Sequence, residues 1–328
     1  MLSAHPFARF VRLLGRGKTL TRALTIGEAE EAMAMILAGG TRPEQLGAFL
    51  MLLRIKEETG EEIAGFIRAA RARLPPQGAA VDLDWPAYAG KKRQLPWFLL
   101  AALLLAQAGW RVAMHGLDGV TEGRLYAGET LARLGVPLAA DFTEASEHLS
   151  HRNLTFLSLD RISPELAGMM ALKPILGLRS PVNSLVRGLN PFRASTSLEA
   201  VFHPSYVAVH RDAALLLGDQ RTIVFRGDGG ENERRPNKAM ETVLISDGVV
   251  EEQRWASIGD PRQPPDETME IDRLARVWRG DADEYGEATV VGTVAIALYA
   301  MGIAPDPADA ETRARRLWSE RDRTRFAA

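Results

Sequence analysis

The chain changes its structural grammar once. Residues 18–74 read as helices joined by short turns, whereas beyond Pro75-Pro76-Gln77-Gly78 helical and strand patterns alternate. Strands spaced by helices need crossover connections, which point to an α/β layer structure with a mainly parallel central sheet. The expected architecture is therefore α/β in two parts. A small helical domain spans 1–76, with a segment at about 173–197 returning to it, and a large α/β domain spans 77–172 and 198–328. A length of 328 residues accommodates both cores.

Local signals support each part. Thr25-Ile-Gly-Glu28 has capping-box spacing ahead of the run Ala29–Ala38. Arg42-Pro43-Glu44 opens a helix with Leu46, Phe49, Leu50 and Leu53 on one face, and Thr59-Gly-Glu-Glu62 opens another. Leu95–Ala108 reads as an apolar helix stopped by Gly109, and Ala288–Ala300 as a buried one. Strands are expected at 110–114, 153–159, 222–226 and 242–246, with Ala200–Phe202 and Tyr206–Val209 near strands. The run Leu95–Ala106 is too short to span a hydrocarbon layer of about 30 Å. Met1–Phe10 carries no apolar signal core, so a soluble cytoplasmic protein without a membrane partner is expected. The absence of cysteine excludes disulfides, thiolate metal sites and a Cys nucleophile.

Charge is balanced overall, 40 Lys+Arg against 42 Asp+Glu, but not locally. From Trp85 to Leu117 there are four cations (Lys91, Lys92, Arg93, Arg111) and no acid. Leu166–Leu198 again holds four (Lys173, Arg179, Arg187, Arg193) and no acid. Arg234, Arg235 and Lys238 form a third group, and arginines from Arg313 to Arg325 line the last helix. Lys91-Lys92-Arg93 precedes a helix, whose free N–H groups favour an anion; a solvated basic loop is the alternative. If the two acid-free segments meet, they make a groove suited to phosphate.

The motifs Gln45-Leu-Gly-Ala-Phe-Leu50, Glu61-Glu-Ile-Ala-Gly65, His115-Gly116, Leu134-Gly-Val136, Leu176-Gly177…Arg179…Asn183 and Asn190-Pro191 resemble the anthranilate phosphoribosyltransferase family. The resemblance implies a class III nucleoside phosphorylase/phosphoribosyltransferase fold and a dimer through the small domain. It also implies three catalytic devices: a Gly-Thr-Gly-Gly-Asp loop for pyrophosphate, an Asn-x-Ser-Thr turn, and an Asp-Glu pair for Mg²⁺. Against these the sequence offers Pro86–Arg93, Pro96-Trp-Phe-Leu99 and Glu231-Asn232, while Met114-His-Gly-Leu117 replaces Lys-His-Gly-Asn. Glu231 and Glu233 remain candidate metal ligands, with ion pairs to Arg234 or Arg235 as the plainer use. His115 reads as structural. Trp97 and Phe98 offer base stacking or core packing, and their place at an apolar helix start favours core.

The replacements, with Phe202-His-Pro-Ser-Tyr206 and Phe225–Pro236, resemble the YbiB-type branch, which is associated with sequence-independent nucleic-acid binding. The leading expectation is accordingly a dimeric, non-enzymatic binder of DNA or RNA with little sequence preference and no cofactor. Its phosphate contacts would be Lys91, Lys92, Arg93, Arg179, Arg187 and Arg193, with Arg234, Arg235 and Lys238 outside them. The alternative is a glycosyl or phosphoribosyl transferase using Mg²⁺ and phosphoribosyl pyrophosphate, with an anthranilate-like or nucleobase acceptor.

Overall fold

The computed structural model describes residues 4–17, 19–76, 80–259 and 269–324. Gln77 and Gly78 of the linker, and Arg325, lie outside the described residues.

Four helices open the chain: Ala8–Leu14, Ile26–Leu37, Pro43–Lys56 and Gly60–Arg71. Thr25 caps the second as its spacing predicts, its hydroxyl accepting from Glu28 N at 3.3 Å while Thr25 N donates to the Glu28 carboxylate at 3.0 Å. Thr59 and Glu62 repeat the device at the fourth helix. The buried Glu62 carboxylate also accepts from Leu24 N at 2.9 Å and Lys56 Nζ at 2.8 Å, so the cap holds three segments together. At Gly65 a Cβ would lie 2.4 Å from Ile26 O, which is why the second and fourth helices can pack so closely. Phe7, Phe49 and Phe66 stack edge to face through this core, which also takes in Val182, Leu185, Leu189 and Phe192 from far along the chain.

The sheet has seven strands: β1 (Leu83–Ala87), β2 (Val112–Gly116), β3 (Leu154–Ser158), β4 (Thr196–Val201), β5 (Arg221–Arg226), β6 (Met240–Ser246) and β7 (Val249–Trp255). Their order is β3-β2-β1-β4-β5-β6-β7, parallel through β5 and antiparallel for β6 and β7. The small helical unit and the mainly parallel sheet are the architecture expected. One face of the sheet is covered by the largely buried helices Phe98–Gln107 and Glu284–Ala300. On the other side, helix Ser205–Leu217 packs between the sheet and helix Gly60–Arg71, tying the two parts together.

Three local readings differ. Tyr206–Val209 is not near-strand but lies within helix Ser205–Leu217, where Ala213 and Ala214 on the helical repeat are buried and override the β-branched pattern. The strand β1 escapes the pattern because Pro86 and Asp84 are poor strand formers; burial on both faces removes the alternation as well. The strand β7 follows a tight turn in which Asp247 and Gly248 both have positive φ, 49° and 80°, the Asp-Gly hairpin signature.

Candidate active site

The strand order reverses between β1 and β4, since the chain runs outward through β2 and β3 on one side and through β5 on the other. In open α/β sheets, ligands bind in the crevice beyond the carboxyl ends of strands at such a switch point. Here three loops meet there: Tyr88–Lys91 after β1, Phe202–Pro204 after β4, and Gly227–Glu233 after β5.

Asn232 stitches the switch point. Its carbonyl accepts from Ala200 N at 2.7 Å, and its amide donates to Pro86 O at 2.9 Å and Leu198 O at 3.2 Å. Every one of its polar atoms therefore serves the backbone. Gly227 makes the turn possible, because a Cβ there would fall 1.9 Å from Glu231 O.

Glu231 points its carboxylate at the loop after β1, where Oε1 accepts from Ala89 N at 2.7 Å and Gly90 N at 2.5 Å. Paired backbone N–H groups of this kind form an anion cradle, and the chain's own carboxylate fills it. Burial raises the Glu231 pKa, with Arg187 and the two N–H groups opposing. The neighbouring Lys91 is 2% exposed. Its ammonium binds Asp228, Glu233 Oε1 at 2.5 Å and Gln94 Oε1 at 3.2 Å. Burial alone would lower its pKa, but the two carboxylates outweigh that and hold it charged. Glu233 also accepts from Phe98 N at 2.9 Å at a helix start; burial and Asp228 push its carboxyl up to about 7 against the pull of Lys91. Arg235 closes the group from outside at 3.1 Å from Asp228.

The cations expected to line one groove are thus distributed. Lys91 is committed to internal carboxylates. Arg187 is buried and donates to Ala200 O at 3.0 Å and Gly230 O at 2.9 Å. Arg193 is exposed and donates to Arg71 O at 3.3 Å. Arg234 is buried against the Trp255 ring and paired with Glu311 at 2.8 Å, not with Glu231 or Glu233. Lys92, Arg93 and Lys238 are exposed. Trp97 and Phe98 lie in the core, Phe98 stacked on Trp85, and present no face to a base. His115 is buried between Tyr88 Oη at 2.7 Å and Asp84 at 3.2 Å, a structural use.

Arg179 keeps a different position. It is half-buried near the mouth, and no hydrogen bond or ion pair to it is present among the described residues. Burial first, and Arg124 second, lower its pKa. Lys173 is lowered by burial and then by Arg179 and Arg124. Lys173 Nζ donates to Thr121 Oγ1 at 2.7 Å, and Arg124 donates to Ala89 O at 2.8 Å and Gly90 O at 3.0 Å. Arg124 is thus anchored on the loop after β1 and Lys173 on the segment just before Arg124, with Arg179 within electrostatic reach of both. Arg124 lies outside the acid-free segments because Asp118 and Glu122 precede it in the sequence. Phe202, 53% exposed, borders the same place, its Cβ 3.3 Å from where a side chain on Gly230 would start.

Comparison with known proteins fixes the relationship. The glycosyl transferase family helical bundle domain matches residues 9–74, and the glycosyl transferase family a/b domain matches residues 98–320. The chain is 32% identical to anthranilate phosphoribosyltransferase of Desulfitobacterium hafniense over 241 residues, 73% of this chain and 70% of that one. It is 29% identical to the Erythrobacter litoralis protein of the same name over 290 residues, covering 85% and 87%. Among solved structures, the Thermus thermophilus enzyme superposes with a TM-score of 0.78 at 22% identity, covering 96% and 95%. The Saccharomyces cerevisiae enzyme in complex with PRPP and Mg has a TM-score of 0.78 at 15% identity, covering 99% and 96%.

These relatives correct the leading expectation. They are named for phosphoribosyl transfer, which overturns the reading of a non-enzymatic DNA- or RNA-binding protein with nucleic acid as partner and lends nothing to the YbiB-type branch. The expectation of no cofactor falls by the same finding, since the yeast structure is a complex with PRPP and Mg. Whether the residues of this chain suit the metal is a separate matter, and as arranged they do not. Among the described residues no set of three or more His, Asp or Glu is placed to hold a metal. The point where Asp228 and Glu233 converge is taken by Lys91, and the N–H cradle by Glu231.

Proposed function

Since the chain belongs to the glycosyl transferase family that includes the anthranilate phosphoribosyltransferases, we propose that it is a transferase that moves a phosphorylated pentose to an anthranilate-like or nucleobase acceptor. The observation that carries this reading is the placement of Arg124, Lys173 and Arg179 at the mouth of the switch-point crevice, where none of them makes an ion pair among the described residues while Arg124 and Lys173 are anchored by hydrogen bonds.

In such a transfer the bond from the anomeric carbon to the leaving phosphate oxygen breaks. A bond from that carbon to the acceptor nitrogen forms, and the acceptor proton passes to solvent. The reaction needs positive charge fixed where the leaving or acceptor anion sits, because preorganised charges need no reorganisation as the bond breaks. Arg124 is held by two backbone carbonyls and Lys173 by Thr121, so both heads are positioned before a ligand arrives. Phe202 supplies an apolar ring beside them for a planar acceptor. Glu231 fills the N–H cradle and Lys91 the point where Asp228 and Glu233 converge, so no step is assigned to a metal. No helix among the described residues is long and apolar enough to cross a membrane, and a cytoplasmic setting goes with the reading.

The test follows phosphoribosyl pyrophosphate by ³¹P NMR with Mg²⁺ and a panel of aminobenzoates, hydroxybenzoates and nucleobases. The expected result is acceptor-dependent release of pyrophosphate that falls at least tenfold in Arg179→Ala. No release above the protein-free control across the panel would overturn the proposal.

A further inference from the structure

A second cavity lies at the opposite end of the sheet. The crevice opens beyond the carboxyl ends of the strands, whereas this cavity sits at their amino ends, beside the edge strand β3. Its volume is about 810 Å³, within the range of roughly 300–1,000 Å³ found for ligand clefts. Leu103 and Ala106 near the end of helix Phe98–Gln107, Leu154 at the start of β3, and the turn Leu134–Pro137 give it an apolar floor. Gly135 makes that turn, with φ at 74°.

One wall is helix Asp272–Arg279, which is divided lengthwise. Leu274, Val277 and Trp278 are buried in the core. Asp272, Ala275, Arg276 and Arg279 recur at helical spacing on the side that lines the cavity. Arg133 and Arg152 line it as well, so four arginines surround an apolar floor with a single carboxylate, Asp272, among them. Asp272 stands 3.6 Å from Arg133 with both side chains largely exposed, and a surface pair of this kind contributes little. Glu270 and Asp281 approach Arg276 at 3.5 and 3.6 Å from outside the lining. Arg279 is exposed, and no hydrogen bond or ion pair to it is present among the described residues.

We propose that this cavity binds an amphipathic organic anion, with its apolar body on the floor of Leu103, Leu134 and Leu154 and its head group against Arg276 and Arg279. The site is separate from the switch-point crevice and its occupation needs neither donor nor acceptor of the transfer. Burial of the apolar body supplies affinity in proportion to the area removed from water. The arginines select the charge, because a guanidinium is weakly hydrated and offers paired N–H donors to a carboxylate, sulfonate or phosphate. A neutral molecule of the same shape gains only the first contribution, and a small inorganic anion only the second.

Fluorescence titration of the intact chain tests this by comparing anilinonaphthalene sulfonate with phenylnaphthylamine, which has the same ring body without the charge. The sulfonate is expected to bind about tenfold more tightly than the amine. Arg279→Glu reverses an exposed charge, and is expected to weaken the sulfonate about tenfold while leaving the amine unchanged. Ala275→Trp fills the cavity and is expected to weaken both probes about tenfold with the thermal transition of the parent. Arg179→Ala, at the crevice, is expected to change neither. Equal affinity for the two probes, or sulfonate binding that is unchanged in Arg279→Glu or in Ala275→Trp, would overturn the proposal. So would the absence of binding, as when a second copy of the chain covers the cavity.

Discussion

Replacing Lys91 by methionine separates an internal ammonium from a surface one. The side chain is 2% exposed, and its charge answers Asp228 and Glu233. Methionine keeps the aliphatic volume and removes the cation. Asp228 retains Arg235 at 3.1 Å, so the group left without a counter-charge is chiefly Glu233, which is fully buried. Breaking a buried pair by removing one partner costs about 3–5 kcal/mol, and that is the expected loss in urea unfolding at pH 8. The pH dependence supplies the control. The Glu233 carboxyl stands at about 7 in the folded chain against 4.5 as its reference, a difference worth about 3 kcal/mol. Because the folded state holds the proton more tightly, stability is greatest below the reference value and declines as pH rises through the folded one. Without Lys91 the folded value climbs further. At pH 5.5 the folded variant therefore takes up a proton that the unfolded chain releases, and the gap to the parent narrows by about half. Lys91→Met/Glu233→Gln is expected to recover most of the loss at pH 8. A variant within about 1 kcal/mol of the parent at pH 8, or a gap that does not change with pH, would refute the inward pairing.

Two further outcomes follow from the same loops. Glu231→Ala empties the cradle of Ala89 N and Gly90 N, so inorganic pyrophosphate, measured by calorimetry, is expected to bind about tenfold more tightly; unchanged affinity would mean that the N–H pair is closed to outside anions. Gly227→Ala places a methyl group 1.9 Å from Glu231 O, and overpacking against a fixed carbonyl is expected to cost about 3 kcal/mol in thermal or urea unfolding.

Much of the architecture was legible because it rests on local signals. The capping residues Thr25 and Thr59, the apolar helix ended by Gly109, and the alternation beyond Pro76 act over a few residues and appear where their spacing places them. The candidate site was less legible because its charges are paired across long separations. Lys91 sits in a 33-residue stretch without an acid, yet its partners come from Asp228 and Glu233, brought alongside by the strand order β1-β4-β5. The same holds for Arg234 and Glu311. Absence of acids along the chain says little about acids in space when neighbouring strands are more than a hundred residues apart. Arg124 illustrates the converse: Glu122 stands two positions before it, but the arginine turns to the carbonyls of Ala89 and Gly90. The substitutions at the family's phosphate motifs were visible in the sequence, and the inference from them to nucleic acid went wrong. Lost motifs report what was removed, whereas the new contacts that replaced them could only be read from the fold.

The carboxylate of Glu231 on the loop after β1 has a kinetic consequence. Loops that close around a phosphate usually become ordered as the ligand arrives, and binding then carries the entropy of fixing each residue, about 1–2 kcal/mol apiece. Here the N–H groups of Ala89 and Gly90 have an anion from the moment the chain folds, and Lys91 is anchored from the other side. The ordering cost is absorbed into folding. A ligand at the crevice meets a wall already in its final shape, so its association rate should follow diffusion and charge rather than a loop closure.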